Sequence, residues 1–129
     1  YDRYLWLLGR FRSLRWDNTR LHDASPFQVV DPGFNAILIR SCSDLATLAD
    51  RLGETEIAAR NRGFAKRGLA ALESLWSEPH GQYLCRDRIT AELVDSLSVG
   101  GILPAFAAIP ADRARALAKR IEALGQRAT

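Results

Sequence analysis

The sequence has no methionine, only two cysteines, and no basic run longer than two residues. Cys42 and Cys85 stand 43 positions apart, with no Cys-x-x-Cys pair and no Cys/His cluster beside them. Structural metal sites gather their ligands at close spacings, so this arrangement argues against one, and no cofactor is expected. Two reduced, buried thiols in a cytoplasmic protein is the reading the cysteines support. The net charge of +3 comes from arginines scattered between acids. A phosphate backbone needs a clustered basic face, so nucleic acid is not an expected partner. No apolar stretch approaches the ~20 residues that cross a bilayer, so neither is a membrane. Tyr1-Asp2-Arg3-Tyr4 supplies neither the basic start nor the apolar run of a secretory signal.

What is present supports burial. At 129 residues and 47% hydrophobic content, the chain suffices for a single helical unit with a core, residues 1–129. It opens directly inside a helical pattern without an initiating methionine, which fits a fragment of a larger protein better than a natural start.

Tyr1, Tyr4, Leu5, Leu8 and Phe11 share one stripe, and predict an amphipathic helix over 1–15. "RWDNTRLHDASPFQVV" has no helical period and reads as a long connection. Asp31 before Pro32 is a helix start: a carboxylate at the N-cap, then proline where its missing N–H costs nothing. Phe34, Ile37, Leu38, Cys42, Leu45, Leu48 and Leu52 follow at helical spacing until Gly53, and are expected to face inward. A further helix from Thr55 to Trp76 turns Ile57, Phe64, Leu72 and Leu75 inward, antiparallel to its predecessor across the Gly53-Glu54 link. "GQYLCRDRITAELVD" alternates and suggests a short β-hairpin. Residues 96–108 are apolar on nearly every side and predict a helix buried all round; an amphipathic helix at 111–124 follows.

In each of the two pairs, 32–52 with 55–76 and 97–107 with 111–124, the first helix is the more apolar. That pattern describes an inner and an outer ring. The expected fold is all-α, a partial (α/α) toroid or barrel of antiparallel helix pairs with one short β-hairpin, about half of a larger ring. Its open inner faces are expected to drive self-association.

In such a ring the inner helices begin on one face, where their N–H groups can hold hydroxyls or a carboxylate. Asp31, Phe34, Asn35, Tyr83 and Asp87 fall at that mouth, and Trp16 is the tryptophan placed to stack on a sugar. Asp31 also reads as a plain N-cap, Asn35 as a local hydrogen-bond partner, and Tyr83 and Asp87 as pins of the hairpin. His22 and His80 read as surface histidines, Trp6 and Trp76 as core.

"YDRYLWLL", "WDN", "SPFQVVDPGFNAIL", "GQYLCRD" and "GILPAFAAIP", in that order, resemble the central part of (α/α)6-barrel glycosidases of the glycoside hydrolase family 63 type. Mannosylglycerate and glucosylglycerate hydrolases are the nearest members in kind, and trehalases are similar more remotely. The resemblance implies hydrolysis of an α-glycosidic bond with inversion, by an acid and a base ~6.5–9.5 Å apart. It also implies a small carbohydrate or glycoside as partner. In those relatives the acid lies in a Ser-Gly-x-Asp segment before the "YDRYLWLL" helix, and the base lies in the last third of the barrel. Neither segment is in this sequence, so no residue here is assigned a catalytic role, and the chain alone is expected to be inactive. Asp17 in "RWDN" lacks the Ser-Gly-x-Asp context and is not promoted. A stand-alone helical-repeat module that binds a protein or peptide is the alternative, and it leaves the hairpin and the placement of Asp31, Asn35 and Asp87 unexplained.

Overall fold

The structure is a computed structural model describing residues 1–126. Its elements are α1 (Asp2–Ser13), α2 (Asn18–Ala24), β1 (Val29–Val30), α3 (Pro32–Arg51), α4 (Thr55–Leu72), β2 (Trp76–Ser77), β3 (Gln82–Tyr83), β4 (Arg86–Asp87) and α5 (Ala111–Gln126). The chain is all-α in class, a partial (α/α) toroid whose strands are short antiparallel pairs. No helix among the described residues is long and apolar enough to cross a membrane.

The α3–α4 pair is the centre of the fold, and its ends form as the sequence dictates. Asp31 caps α3, its carboxylate accepting from the Phe34 N–H at 2.7 Å, with Pro32 in the first turn. Gly53, at φ +77°, closes it: the Glu54 N–H reaches Ala49 O and the Gly53 N–H reaches Asp50 O. That left-handed stop satisfies two of the helix's last carbonyls and returns the chain along α4.

The faces differ from expectation. Ala36, Ile39, Ala46 and Ala49 of α3 are buried, as are Ala58, Asn61, Ala65 and Leu72 of α4. Small side chains let the two helix axes approach closely. The stripe expected inward is largely exposed: Phe34 is 75%, Leu48 52% and Leu52 69% accessible, and Ile37, Leu38, Leu45 and Phe64 are exposed as well. Periodicity identifies an apolar face but not the neighbour that covers it; here α4 takes the alanine face.

Other boundaries are corrected too. The connection after α1 contains α2, a short helix capped by Asp17, whose side chain accepts from the Arg20 N–H. The helix expected to reach Trp76 ends at Leu72, tightens into a 3₁₀ turn over Glu73–Leu75 and passes into β2. Residues 96–108 hold two 3₁₀ turns, Val99–Gly101 and Leu103–Phe106, instead of one helix. They are not buried all round either, since Val99 and Phe106 are exposed. Gly100-Gly101 and Pro104 break the α-helical ladder there. Trp6 is exposed on α1 and not in the core. Both thiols are free but only half-buried.

The hairpin region holds three short pairings. β2 pairs with β3, and β4 pairs back with β1 through Val29–Asp87 and Val30–Arg86. Within the expected hairpin, an Arg86–Leu93 bridge closes the 85–94 loop. The core joins Ala36, Ile39, Leu72, Leu75, Tyr83 and Leu117. Each large side chain sealed here contributes about 1.5–3 kcal/mol.

Candidate functional site

The start of α3 gathers chemistry from three parts of the chain. Because β1 leads into Pro32 and pairs with β4, Asp31 is brought beside Cys85, whose Sγ lies 3.6 Å from Asp31 Oδ2. Burial first, and then the Asp31 charge, push the Cys85 thiol above its ordinary pKa. Gly100 closes the cluster: a Cβ there would lie 3.3 Å from Asp31 Oδ2 and from Ser98 Oγ. Gly33 fits against the same 3₁₀ turn, where a Cβ would come 3.1 Å from the Gly100 Cα. The two glycines allow α3 to start against this turn.

Beside this cluster runs a groove of about 350 Å³ lined by Phe27, Val29, Cys85, Asp87, Ser96 and Ser98, among others. One Asp87 carboxylate oxygen accepts from the Ile89 N–H at 2.6 Å and the Thr90 N–H at 3.2 Å, holding the turn beyond β4. Its other oxygen makes no hydrogen bond within the described residues. The groove therefore offers a carboxylate, two serine hydroxyls and an exposed Phe27 ring, polar groups beside an apolar face. Among the described residues there is no His/Cys/Asp/Glu group that could hold a metal ion.

The expected site residues divide. Asp31 and Asp87 come to one end of the molecule through the β1–β4 pairing. Phe34 projects from the first turn of α3, largely exposed. Asn35 is half-buried, donates from Nδ2 to the Asp31 carbonyl at 2.8 Å, and lines a different cavity. Tyr83 is fully buried instead of facing the mouth; its hydroxyl donates to Glu73 Oε1 at 2.7 Å and its ring meets Trp76 edge-on at 4.9 Å. Trp16 is exposed at the end of α1, edge-on to Phe11 at 6.2 Å, and does not line the Asp87 groove.

Sequence reasoning missed Cys85 and Phe27. The Gly100-Gly101 pair was the available signal, since paired glycines mark a close backbone approach. It also missed partners for both histidines. His22 contacts Asp23 and the Arg88 guanidinium. His80 bridges Ser77 Oγ at 2.8 Å through Nδ1 and Asp95 at 2.9 Å through Nε2. That serine–histidine–aspartate row is not a nucleophilic site, because Ser77 is 7% accessible inside β2. A nucleophile has to reach its substrate.

The family model described as the mannosylglycerate hydrolase MGH1-like glycoside hydrolase domain matches residues 1–128. The chain belongs to this family. Mannosylglycerate hydrolase from Thermus thermophilus is 41% identical over 129 residues, which are 99% of this chain and 31% of that protein. Mannosylglycerate hydrolase MGH1 from Selaginella moellendorffii is 35% identical over 122 residues, 94% of this chain and 25% of that protein. Among solved structures, the glycoside hydrolase family 63 mannosylglycerate hydrolase from Thermus thermophilus in complex with Tris and D-glycerate superposes with a TM-score of 0.88. It is 41% identical, and the match covers 98% of this chain and 31% of that one. The same enzyme in complex with glucose gives 0.87, covering 98% of this chain and 32% of that one. The chain thus spans less than a third of the length of these family members.

Proposed function

We propose that this chain is part of an inverting glycosidase that hydrolyses α-glycosidic bonds of small glycosides, of the glucosylglycerate or mannosylglycerate kind. Its share of the work is a wall of the sugar-binding mouth. The observation that carries the reading is the family match over residues 1–128 together with the carboxylates of Asp31 and Asp87 beside a groove at the start of α3. Carboxylates and serine hydroxyls accept and donate to sugar hydroxyls, and Phe27 and Phe34 offer apolar faces to a pyranose ring. Asn35 supports the mouth by holding the Asp31 carbonyl. Trp16 contributes only to a ligand extending towards the end of α1.

The chain is inactive by itself, because the acid and base implied for the reaction are not assigned to any of its residues. Mannosylglycerate, glucosylglycerate and trehalose offered to the 129-residue chain should remain intact. Turnover that is abolished by replacing an acid within these residues would overturn the proposal. The exposed face of α3, with Ile37, Leu38, Leu45 and Leu48, is an apolar surface of the kind that associates. The same preparation should therefore scatter light as a dimer or larger, and a clean monomer would remove self-association from the reading.

A further inference from the structure

Side chains alternate across a strand, and the β1–β4 ribbon uses this to separate two environments. Val29, Cys85 and Asp87 line the groove described above. Val30 and Arg86, one residue out of step, line a second cavity of about 250 Å³, with Asn35, Ser74, Ala71 and Leu75. Its walls are mainly apolar, and the one charge on them is the Arg86 guanidinium.

That charge is incompletely matched. A guanidinium carries five N–H donors. Arg86 uses one on the Ser74 carbonyl at 2.5 Å and one on Ser74 Oγ at 3.3 Å. Its Nε is buried without a hydrogen-bond partner, and no carboxylate pairs with it among the described residues. A half-buried cation without a counter-ion, against apolar walls, is costly unless an anion completes it. Asn35 commits one side-chain N–H to the Asp31 carbonyl and keeps a second for a ligand.

We infer that the cavity between α3, α4 and β4 is a binding site for a small carboxylate, held by Arg86 and Asn35. A cavity of about 250 Å³ has room for a molecule of glycerate size. The planar guanidinium fork suits a carboxylate better than a point charge would. The inference concerns binding on the far side of the ribbon from the mouth, and it does not depend on the glycosidase reading.

The test is a titration of the isotope-labelled 129-residue chain with D-glycerate, followed by two-dimensional NMR, with glycerol as the uncharged counterpart. Glycerate should shift the Arg86 Nε–H and Asn35 side-chain signals, and glycerol should leave them in place. Arg86→Gln should weaken glycerate binding by about tenfold or more, the usual loss for a hydrogen bond to a charged group. Ala71→Phe, an exposed position on α4, fills the cavity while leaving the guanidinium intact, and should also abolish the shifts. Three results would overturn the inference: equal shifts with glycerol, shifts spread over the surface arginines, or unchanged binding in the filled variant. If Arg86→Gln fails to fold, the filled variant alone decides. Because the readout is binding, failure here leaves the glycosidase reading standing, and the reverse also holds.

Discussion

The Cys85 sulfur lies 3.6 Å from Asp31 Oδ2, joining residues 54 positions apart at the start of α3. One oxygen of Asp31 therefore caps the helix while the other faces a thiol. Two forces oppose the thiolate: burial, and the neighbouring negative charge. Both raise the pH at which Cys85 becomes reactive.

Alkylation of Cys85 in a Cys42→Ser background should thus have its inflection above that of a free thiol. Asp31→Asn removes the charge and retains a good N-cap, so the helix start survives. The inflection should move down in that variant without reaching the free-thiol value, since burial remains. An unchanged inflection would show that the carboxylate does not act on the thiol.

Tyr83 predicts behaviour at the other end of the pH scale. Burial, then the hydrogen bond to Glu73, push its phenol above its ordinary 10.0. Below that ordinary value both folded and unfolded chains keep the proton, and the contribution of this group is complete. Above it the unfolded chain releases the proton first, so stability falls as pH rises. Tyr83→Phe should cost about 1–2 kcal/mol near neutrality and flatten this alkaline decline. Denaturant melts at about pH 8 and about pH 11, on either side of the ordinary phenol value, measure both effects. A parallel decline in the variant would contradict the assignment.

Arg15 offers a stabilising change. It stands at φ 54° after α1, its N–H on Arg12 O and the next N–H, from Trp16, on Phe11 O. This is the left-handed helix stop that glycine usually fills. Arg15→Gly should relieve about 1 kcal/mol of backbone strain, offset in part by the greater freedom of the unfolded chain. Thermal melting should show a small rise; a fall would mean that Arg15's side chain contributes more than its backbone costs.

Local rules explain which features were legible from the residues. Asp31-Pro32 and Gly53 bounded α3 correctly because capping needs only a few neighbouring residues. The short link to α4 then required an antiparallel pair. Amphipathic periodicity also made α1 and α5 readable. α2 was missed because its seven residues are too few to show a period. The apolar segment 96–108 misled because composition announces burial but does not choose between an α-helix and paired 3₁₀ turns.

Sequence by itself determined both ends of α3, the all-α class and the family, since these depend on residue order and short-range backbone chemistry. Only the tertiary structure decided which face of α3 is covered, because α4 took the alanines and left the large side chains exposed. It also buried Tyr83 against Glu73 and Trp76, away from the mouth. And it divided Cys85-Arg86-Asp87 between two cavities, because a strand sends successive side chains to opposite faces only once its partner is in place.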